Sequence, residues 1–319
     1  MKAAVRDKYG PPEVLRIKEV ETPVPGDDEI LIRVHATTVN RSDYHVLTGK
    51  PLFMRLLTGL RKPAIASTGC DFAGIVEQTG RTVTSFKIGD RAMGFGGVLG
   101  IGSHAQYVTI AEKAGVVHIP ESFTFQQAAA CLEGSFYATT AILKIKPTAG
   151  QKALVYGATG AIGSAYVQFL TYYDVVTTAV CNTKDFELVR SLGATRFIDY
   201  KKEDFTKDND RYDFVFDAVG KRSFYECKVL LKEKGIYVSS GGNLVDLLPT
   251  LITPLLGGKR VLFVPPKDEK GGLNFIKDLI EKGKFQPVID RIYPLEKIVE
   301  AYNYVATGEK IGNVVLTID

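Results

Sequence analysis

The stretch Lys152-Ala153-Leu154-Val155-Tyr156-Gly157-Ala158-Thr159-Gly160-Ala161-Ile162-Gly163 decides the fold of this chain. A short apolar run passes directly through glycines into a second apolar run with helical spacing. A strand, a tight turn and a helix therefore follow one another without a linker. Outward from it the alternation repeats, with strand patterns at residues 175–181, 196–198, 212–217, 235–238 and 261–264. Helix patterns lie between them at residues 161–172, 185–192 and 224–231, and another precedes them at residues 125–143. Strands separated by helices are not joined by hairpins, so the expected sheet is parallel, with about six strands. Gly193 and Gly235 fall just past helical runs, where a left-handed cap residue is wanted.

The turn has the context that a dinucleotide needs. Gly160 lets the backbone approach a pyrophosphate, Gly163 lets helix and strand pack closely, and the helix N-terminus offers N–H donors to phosphate charge. The usual G-x-G-x-x-G has its first glycine at Ala158 here, with Gly157 before it and Thr159, Ala161 and Ile162 completing the turn. The alternative is a glycine turn that merely packs. At the end of the second strand, where an NAD site usually offers an acid to the ribose 2′-hydroxyl, the chain has Cys181-Asn182-Thr183-Lys184. With no carboxylate in that run, Asn182 and Thr183 are expected to donate to a 2′-phosphate and Lys184 to add charge, which points to NADPH. Asp185 reads as the N-cap of the next helix. Tyr200 is placed to stack near the adenine and phosphate.

The first 120 residues are strand-like and rich in turns, with strand patterns around residues 3–5, 29–34 and 73–77. Four segments in order, Asn40-Arg41-Ser42-Asp43-Tyr44, Gly69-Cys70-Asp71-Phe72-Ala73-Gly74, the turn Gly157 to Gly163 and Asp217-Ala218-Val219-Gly220, resemble the medium-chain dehydrogenase/reductase superfamily. Within it the resemblance is to the zinc-independent, quinone oxidoreductase-like branch. It implies an α/β protein made of a GroES-like β-rich catalytic domain, residues 1–122 and 265–319, and a Rossmann doubly wound parallel-sheet domain, residues 123–264. It further implies a nicotinamide held between the two and often a homodimer. Thr139 near the phosphates, Val219 near the ribose, Ser240 and Gly241 after the fifth strand, and Phe263 facing the cofactor are further contacts implied by the family.

The departures from the zinc-dependent members matter. Those carry Cys where this chain has Asn40, a His-Glu pair at Cys70-Asp71 and a further Cys near Leu132. A stable zinc site needs well-placed N, S or O ligands, so no catalytic metal is expected. Residues 95–103 are glycine-rich and carry no Cys, so no structural zinc lobe is expected either. Without a metal, hydrogen bonds must stabilise charge on a substrate oxygen as hydride arrives. The candidates are Asn40 and Asp43, which shape the site by resemblance, and Tyr44, whose hydroxyl would contact or protonate substrate. For Asn40 and Asp43 the alternative is holding a loop together through side-chain to backbone bonds. The expected reaction is reduction by NADPH of a quinone or of the double bond of an α,β-unsaturated carbonyl. The alternatives are a non-catalytic NADPH-binding protein and a zinc-type alcohol dehydrogenase.

Composition agrees. The chain has 319 residues, 45% hydrophobic and 24% charged, enough for two globular cores. A net charge of +4 with interspersed signs gives no nucleic-acid footprint. No apolar run is long enough to span a membrane and the N-terminal residues lack a signal-peptide pattern. Cys70, Cys131, Cys181 and Cys227 form no C-x-x-C pair, so free thiols in a reducing cytoplasm are expected. Residues 51–60, an apolar segment between proline and glycine, read either as a lid over a hydrophobic substrate or as a helix packed on the β domain.

Overall fold

The computed structural model describes residues 1–52, 54–97, 99–240, 244–263 and 268–319. The chain divides into two compact units. Unit 1 is Met1–Phe136, Asp268–Glu281 and Gln286–Asp319; unit 2 is Tyr137–Lys267 and Lys282–Phe285. In chain order the strands of the first part are β1 (Lys2–Val5), β2 (Arg16–Glu19), β3 (Glu29–Val39), β4 (Asp71–Thr79), β5 (Arg91–Phe95), β6 (Tyr107–Ala111) and β7 (Val116–His118). Then come β8 (Lys152–Tyr156), β9 (Val176–Cys181), β10 (Arg196–Asp199), β11 (Tyr212–Asp217), β12 (Leu231–Ser239), β13 (Arg260–Leu262), β14 (Ile289–Pro294) and β15 (Asn313–Thr317). The helices are α1 (Arg41–Thr48), α2 (Met54–Thr58), α3 (Phe125–Ala130), α4 (Glu133–Ile145) and α5 (Ala161–Tyr172). They continue with α6 (Phe186–Ser191), α7 (Phe224–Cys227), α8 (Leu247–Ile252), α9 (Glu269–Glu281) and α10 (Ile298–Thr307).

Unit 2 is the expected α/β unit. Its six-stranded sheet has the order β10-β9-β8-β11-β12-β13, and every pairing is parallel. From β8 the chain builds outward through β9 to β10, then returns to add β11, β12 and β13 on the other side. The order reverses between β8 and β11, and the glycine turn leaves β8 at that switch point, where open parallel sheets bind ligands. Leu154, Val180, Ile198, Val215, Tyr237 and Val261 bury the middle of the sheet. Each such side chain contributes about 1.5–3 kcal/mol.

Unit 1 is the β-rich unit. Its main sheet has the order β14-β15-β3-β4-β5-β7, with β6 also on β3. The C-terminal strand β15 pairs antiparallel with β3 through Val314↔Val39 and Leu316↔Thr37, so the tail returns to the first domain as expected. Ile30, Ile32, Val34, Phe72 and Val314 share one core with Ile298, Ala301 and Tyr302 of α10.

Four expectations need correction. The unit boundary falls at Phe136/Tyr137, not at 122/123, because α3 packs on β3, β4 and β15 of unit 1. The helix expected over residues 125–143 is accordingly two, broken at Cys131 and Leu132, both fully buried. Residues 282–285 belong to unit 2, not to the tail's domain, since the Phe285 ring is buried 5.2 Å from that of Phe169. The fourth concerns Gly235, which lies inside β12 and caps nothing, whereas Gly193 has φ 107° and ends its helix as expected. The domain break expected at 264/265 lies outside the described residues.

Candidate active site

In unit 2 the turn after β8 is shaped by its glycines. Gly157 has φ 79°, and a side chain there would strike Val219. That contact brings the Asp217–Gly220 motif onto the turn. Asp217 holds its own loop, accepting from the N–H groups of Val219 (2.9 Å), Gly220 (2.8 Å) and Arg222 (2.9 Å). A methyl on Gly163 would collide with the Gly157 carbonyl oxygen and stand 2.9 Å from the Ala158 Cα, so α5 leaves the turn at backbone contact. Gly160 is the N-cap of α5 and brings no side chain to its first-turn donors, which an anion suits.

Two hydroxyls test whether a phosphate-bearing cofactor fits. Thr139 Oγ1 and Ser239 Oγ are buried and have no hydrogen-bond partner among the described residues. An orphaned buried hydroxyl is costly until a ligand satisfies it. Beside Ser239, Ser240 reaches the Tyr166 hydroxyl at 3.3 Å. Phe263 is 39% exposed just past β13, and Gly241 lies outside the described residues. Tyr200 lines a pocket of about 300 Å³ with Tyr156, Lys201, Lys202, Phe205 and Arg222. Phe205 stacks on Tyr156 at 4.8 Å, and Arg222 lies over Phe205 at 5.3 Å.

At the end of β9, Asn182 caps the turn that follows by accepting from the Lys184 N–H at 3.3 Å. Asp185 occupies the N-cap position of α6, with no side-chain capping bond. Thr183 departs from expectation. Its N–H (3.1 Å) and its hydroxyl both donate to the carboxylate of Asp199, from the end of β10. Parallel pairing sets Asp199 opposite Cys181, so the neighbouring strand supplies the acid that the Cys181–Lys184 run lacks.

In unit 1 the candidate residues gather around buried acids. Asn40, at the N-cap of α1, donates its N–H to Asp43 at 2.8 Å and its amide to Thr38 Oγ1 and to Asp71 (3.3 Å). Asp71 accepts besides from the Thr38 N–H (2.8 Å) and hydroxyl. Asn40 and Asp43 are thus both buried and engaged in holding the start of α1. Tyr44 is half-buried and packs on the unit 1 core. Gly69, at φ 100°, turns its carbonyl to accept from Ile101 (2.9 Å) and Gly102 (3.1 Å), which fits the motif before Cys70.

Glu133, which no motif singled out, completes the cluster. It accepts from the Ser42 hydroxyl and from the Cys70 thiol at 3.5 Å. Its signal in the sequence is a lone acid inside the apolar run from Ala128 to Phe136. Burial pushes its carboxyl up to about 7 and that of Asp71 up to about 6. Asp43 and the Cys70 thiol are also raised, by burial first and by the neighbouring acids second. Asp43, Cys70 and Glu133 place one donor atom each within 4.8 Å of one another. Near neutrality the raised values leave this network holding protons, and Ser42, half-buried, is its outermost member.

A family model described as alcohol dehydrogenase GroES-like domain matches residues 26–121, and one described as zinc-binding dehydrogenase matches residues 192–316. The chain is 31% identical to the 2-methylene-furan-3-one reductase of Solanum lycopersicum, over 99% of this chain and 79% of that protein. It is equally 31% identical, over the same shares, to the NADPH-dependent alkenal/one oxidoreductase of Arabidopsis thaliana. The chain belongs to the medium-chain dehydrogenase/reductase superfamily, among its quinone oxidoreductase-like members. The quinone oxidoreductase of Coxiella burnetii has the same fold, with a TM-score of 0.90 at 26% identity over 100% of this chain and 99% of that one. The zinc-binding label spans residues 192–316 and so contains none of Asn40, Cys70 or Leu132, the positions on which the metal question turns in this superfamily member.

Proposed function

We propose that this chain is an NADPH-dependent oxidoreductase that reduces a quinone or the activated double bond of an α,β-unsaturated carbonyl, without zinc. The observation that carries the cofactor is the pair of orphaned buried hydroxyls, Thr139 and Ser239, in the unit whose glycine turn opens at the sheet's switch point. Relatives named for NADPH-dependent alkenal/one reduction and for quinone reduction support the reaction class. The bound cofactor would supply hydride; the chain supplies binding, orientation and proton positions. Gly157 to Gly163 and Thr139 would hold the phosphates, and Lys184, with Lys201 and Lys202 beside Tyr200, would offer charge near the adenosine end.

Tyr44 is assigned the substrate oxygen, because Asn40 and Asp43 are buried and already bonded to their own loop. They position Tyr44 by fixing the first turn of α1. An apolar electrophile suits residues 51–60, where Leu52, Leu56, Leu57 and Leu60 are each more than half exposed while Thr58 bonds the Tyr9 hydroxyl at 2.7 Å. These leucines are offered to a ligand and are not core; Phe53 lies outside the described residues. The zinc-free reading is supported by the donor chemistry: an amide and a leucine stand at two expected ligand positions, and burial keeps the Cys70 thiol protonated. No helix among the described residues is long and apolar enough to cross a membrane. A homodimer in the cytoplasm, with its four cysteines free, completes the reading.

The test is NADPH oxidation against quinones, enones and aldehydes, run beside NADH and with metal analysis of the purified protein. Turnover of quinones or enones that a chelator leaves unchanged is expected. Tight NADPH binding with no turnover on the panel would favour a non-catalytic role, and stoichiometric metal bound at Asp43, Cys70 and Glu133 would overturn the zinc-free reading.

A further inference from the structure

The sequence around Thr183 promises donors for a 2′-phosphate, yet in the folded chain both donors of Thr183 itself are already taken. Asp199 Oδ2 receives both the Thr183 N–H, at 3.1 Å, and the Thr183 hydroxyl, and its Oδ1 receives the Lys201 N–H at 2.8 Å. Asp199 is only 5% exposed, and these bonds hold its carboxyl below the usual range, so it is a fixed negative charge. It stands where the ends of β9 and β10 meet, one residue before Tyr200 in the pocket wall. A dinucleotide on the glycine turn of a doubly wound sheet lays its adenosine ribose against the end of the second strand. A carboxylate there accepts from a 2′-hydroxyl and repels a 2′-phosphate. Opposing it are cations on the same rim: Lys202 lies 3.9 Å from Asp199, Lys201 follows it by two residues, and Lys184 follows Thr183, its bonding partner.

We propose that Asp199, supplied by β10 and not by β9, is the specificity-determining residue that sets the choice between NADPH and NADH, weakening the NADPH preference that the surrounding lysines create. This rests on the reading of the Gly157–Gly163 turn as a dinucleotide site. The unaltered chain therefore binds NADH within reach of NADPH. Removing the charge of Asp199 sharpens the preference, because the lysines then face the phosphate without a competing anion. Asn is the informative replacement, since its carbonyl oxygen still accepts from the loop. Thr183 is exposed, so Thr183→Lys adds a cation beside the carboxylate with little risk to folding.

The experiment is calorimetric titration of the full chain with NADPH, NADH, 2′,5′-ADP and 5′-AMP, for the unaltered protein, Asp199→Asn and Thr183→Lys. For both variants the affinity for NADPH and for 2′,5′-ADP is expected to rise about tenfold, with NADH and 5′-AMP within about twofold. An equal change for all four nucleotides in Asp199→Asn would make Asp199 a loop clamp and overturn the inference, as would an unchanged ratio in Thr183→Lys. If the unaltered chain binds neither dinucleotide, the cofactor reading itself fails, a result distinct from both. Should Asp199→Asn not fold, Thr183→Lys decides alone.

Discussion

Replacing Glu133 by Gln probes the buried acid network through the pH dependence of stability. In the unfolded chain this carboxyl titrates at its ordinary 4.5, whereas burial in unit 1 raises it to about 7. Between those values the folded protein holds a proton that the unfolded chain has released, so the contribution of Glu133 to stability falls as pH rises through that window. The full interval corresponds to about 3 kcal/mol, and sharing of charge with Asp43 reduces what Glu133 alone shows to about 1–3 kcal/mol. His104 acts in the opposite sense. It is fully buried between Thr68 and Thr38, its imidazole is lowered from 6.5 to about 4, and it withdraws stability as pH falls through that range. The two windows overlap, so the pH profile of the unaltered chain mixes them. The difference between Glu133→Gln and the unaltered chain isolates the carboxyl. Urea unfolding followed by circular dichroism from pH 4 to pH 8 should show the variant gaining about 1–3 kcal/mol relative to the unaltered chain across the range. A difference that stays constant with pH would refute the assignment of a buried, proton-holding Glu133.

Gly163→Ala forces a methyl against the Gly157 carbonyl, so it should cost about 1–3 kcal/mol in unfolding and weaken NADPH binding; an unchanged midpoint and affinity would show that the turn yields. Thr139→Val removes a hydroxyl that has no partner among the described residues, so thermal stability should hold or rise while the NADPH dissociation constant increases about tenfold, as titration would reveal. Tyr44→Phe should lower kcat at least about tenfold with NADPH affinity unchanged, because the ring packs on the core and the hydroxyl is the group proposed to meet the substrate oxygen. Equal kcat values for Tyr44→Phe and the unaltered enzyme would remove Tyr44 from the chemistry.

Much of unit 2 is legible because its information is local. The apolar runs at 152–156, 176–181 and 212–217 each fill a parallel strand buried on both faces, and Gly157, Gly160 and Gly163 answer to steric demands met within a few residues. The same logic misjudged residues 125–143. A continuous helical pattern gives no sign that Cys131 and Leu132 break it, since the break exists to seat α3 on β3, β4 and β15. Residues 51–60 were ambiguous for a related reason: leucines at helical spacing look the same whether they face a core or solvent, and here they face solvent.

The switch-point turn and the alternating α/β unit are written in the chain alone, because strand-to-helix alternation and glycine spacing are carried by neighbours, and the superfamily is legible through the resemblance of its four ordered motifs. The side-chain partners around them follow from folding. Glu133 meets Ser42 and Cys70 across long separations in sequence, and Asp199 reaches Thr183 because parallel register places one strand end beside the next. A carboxylate absent from a local run can still be present at the site, because a charge acts through space and hydrogen bonds close over distances that sequence spacing does not record.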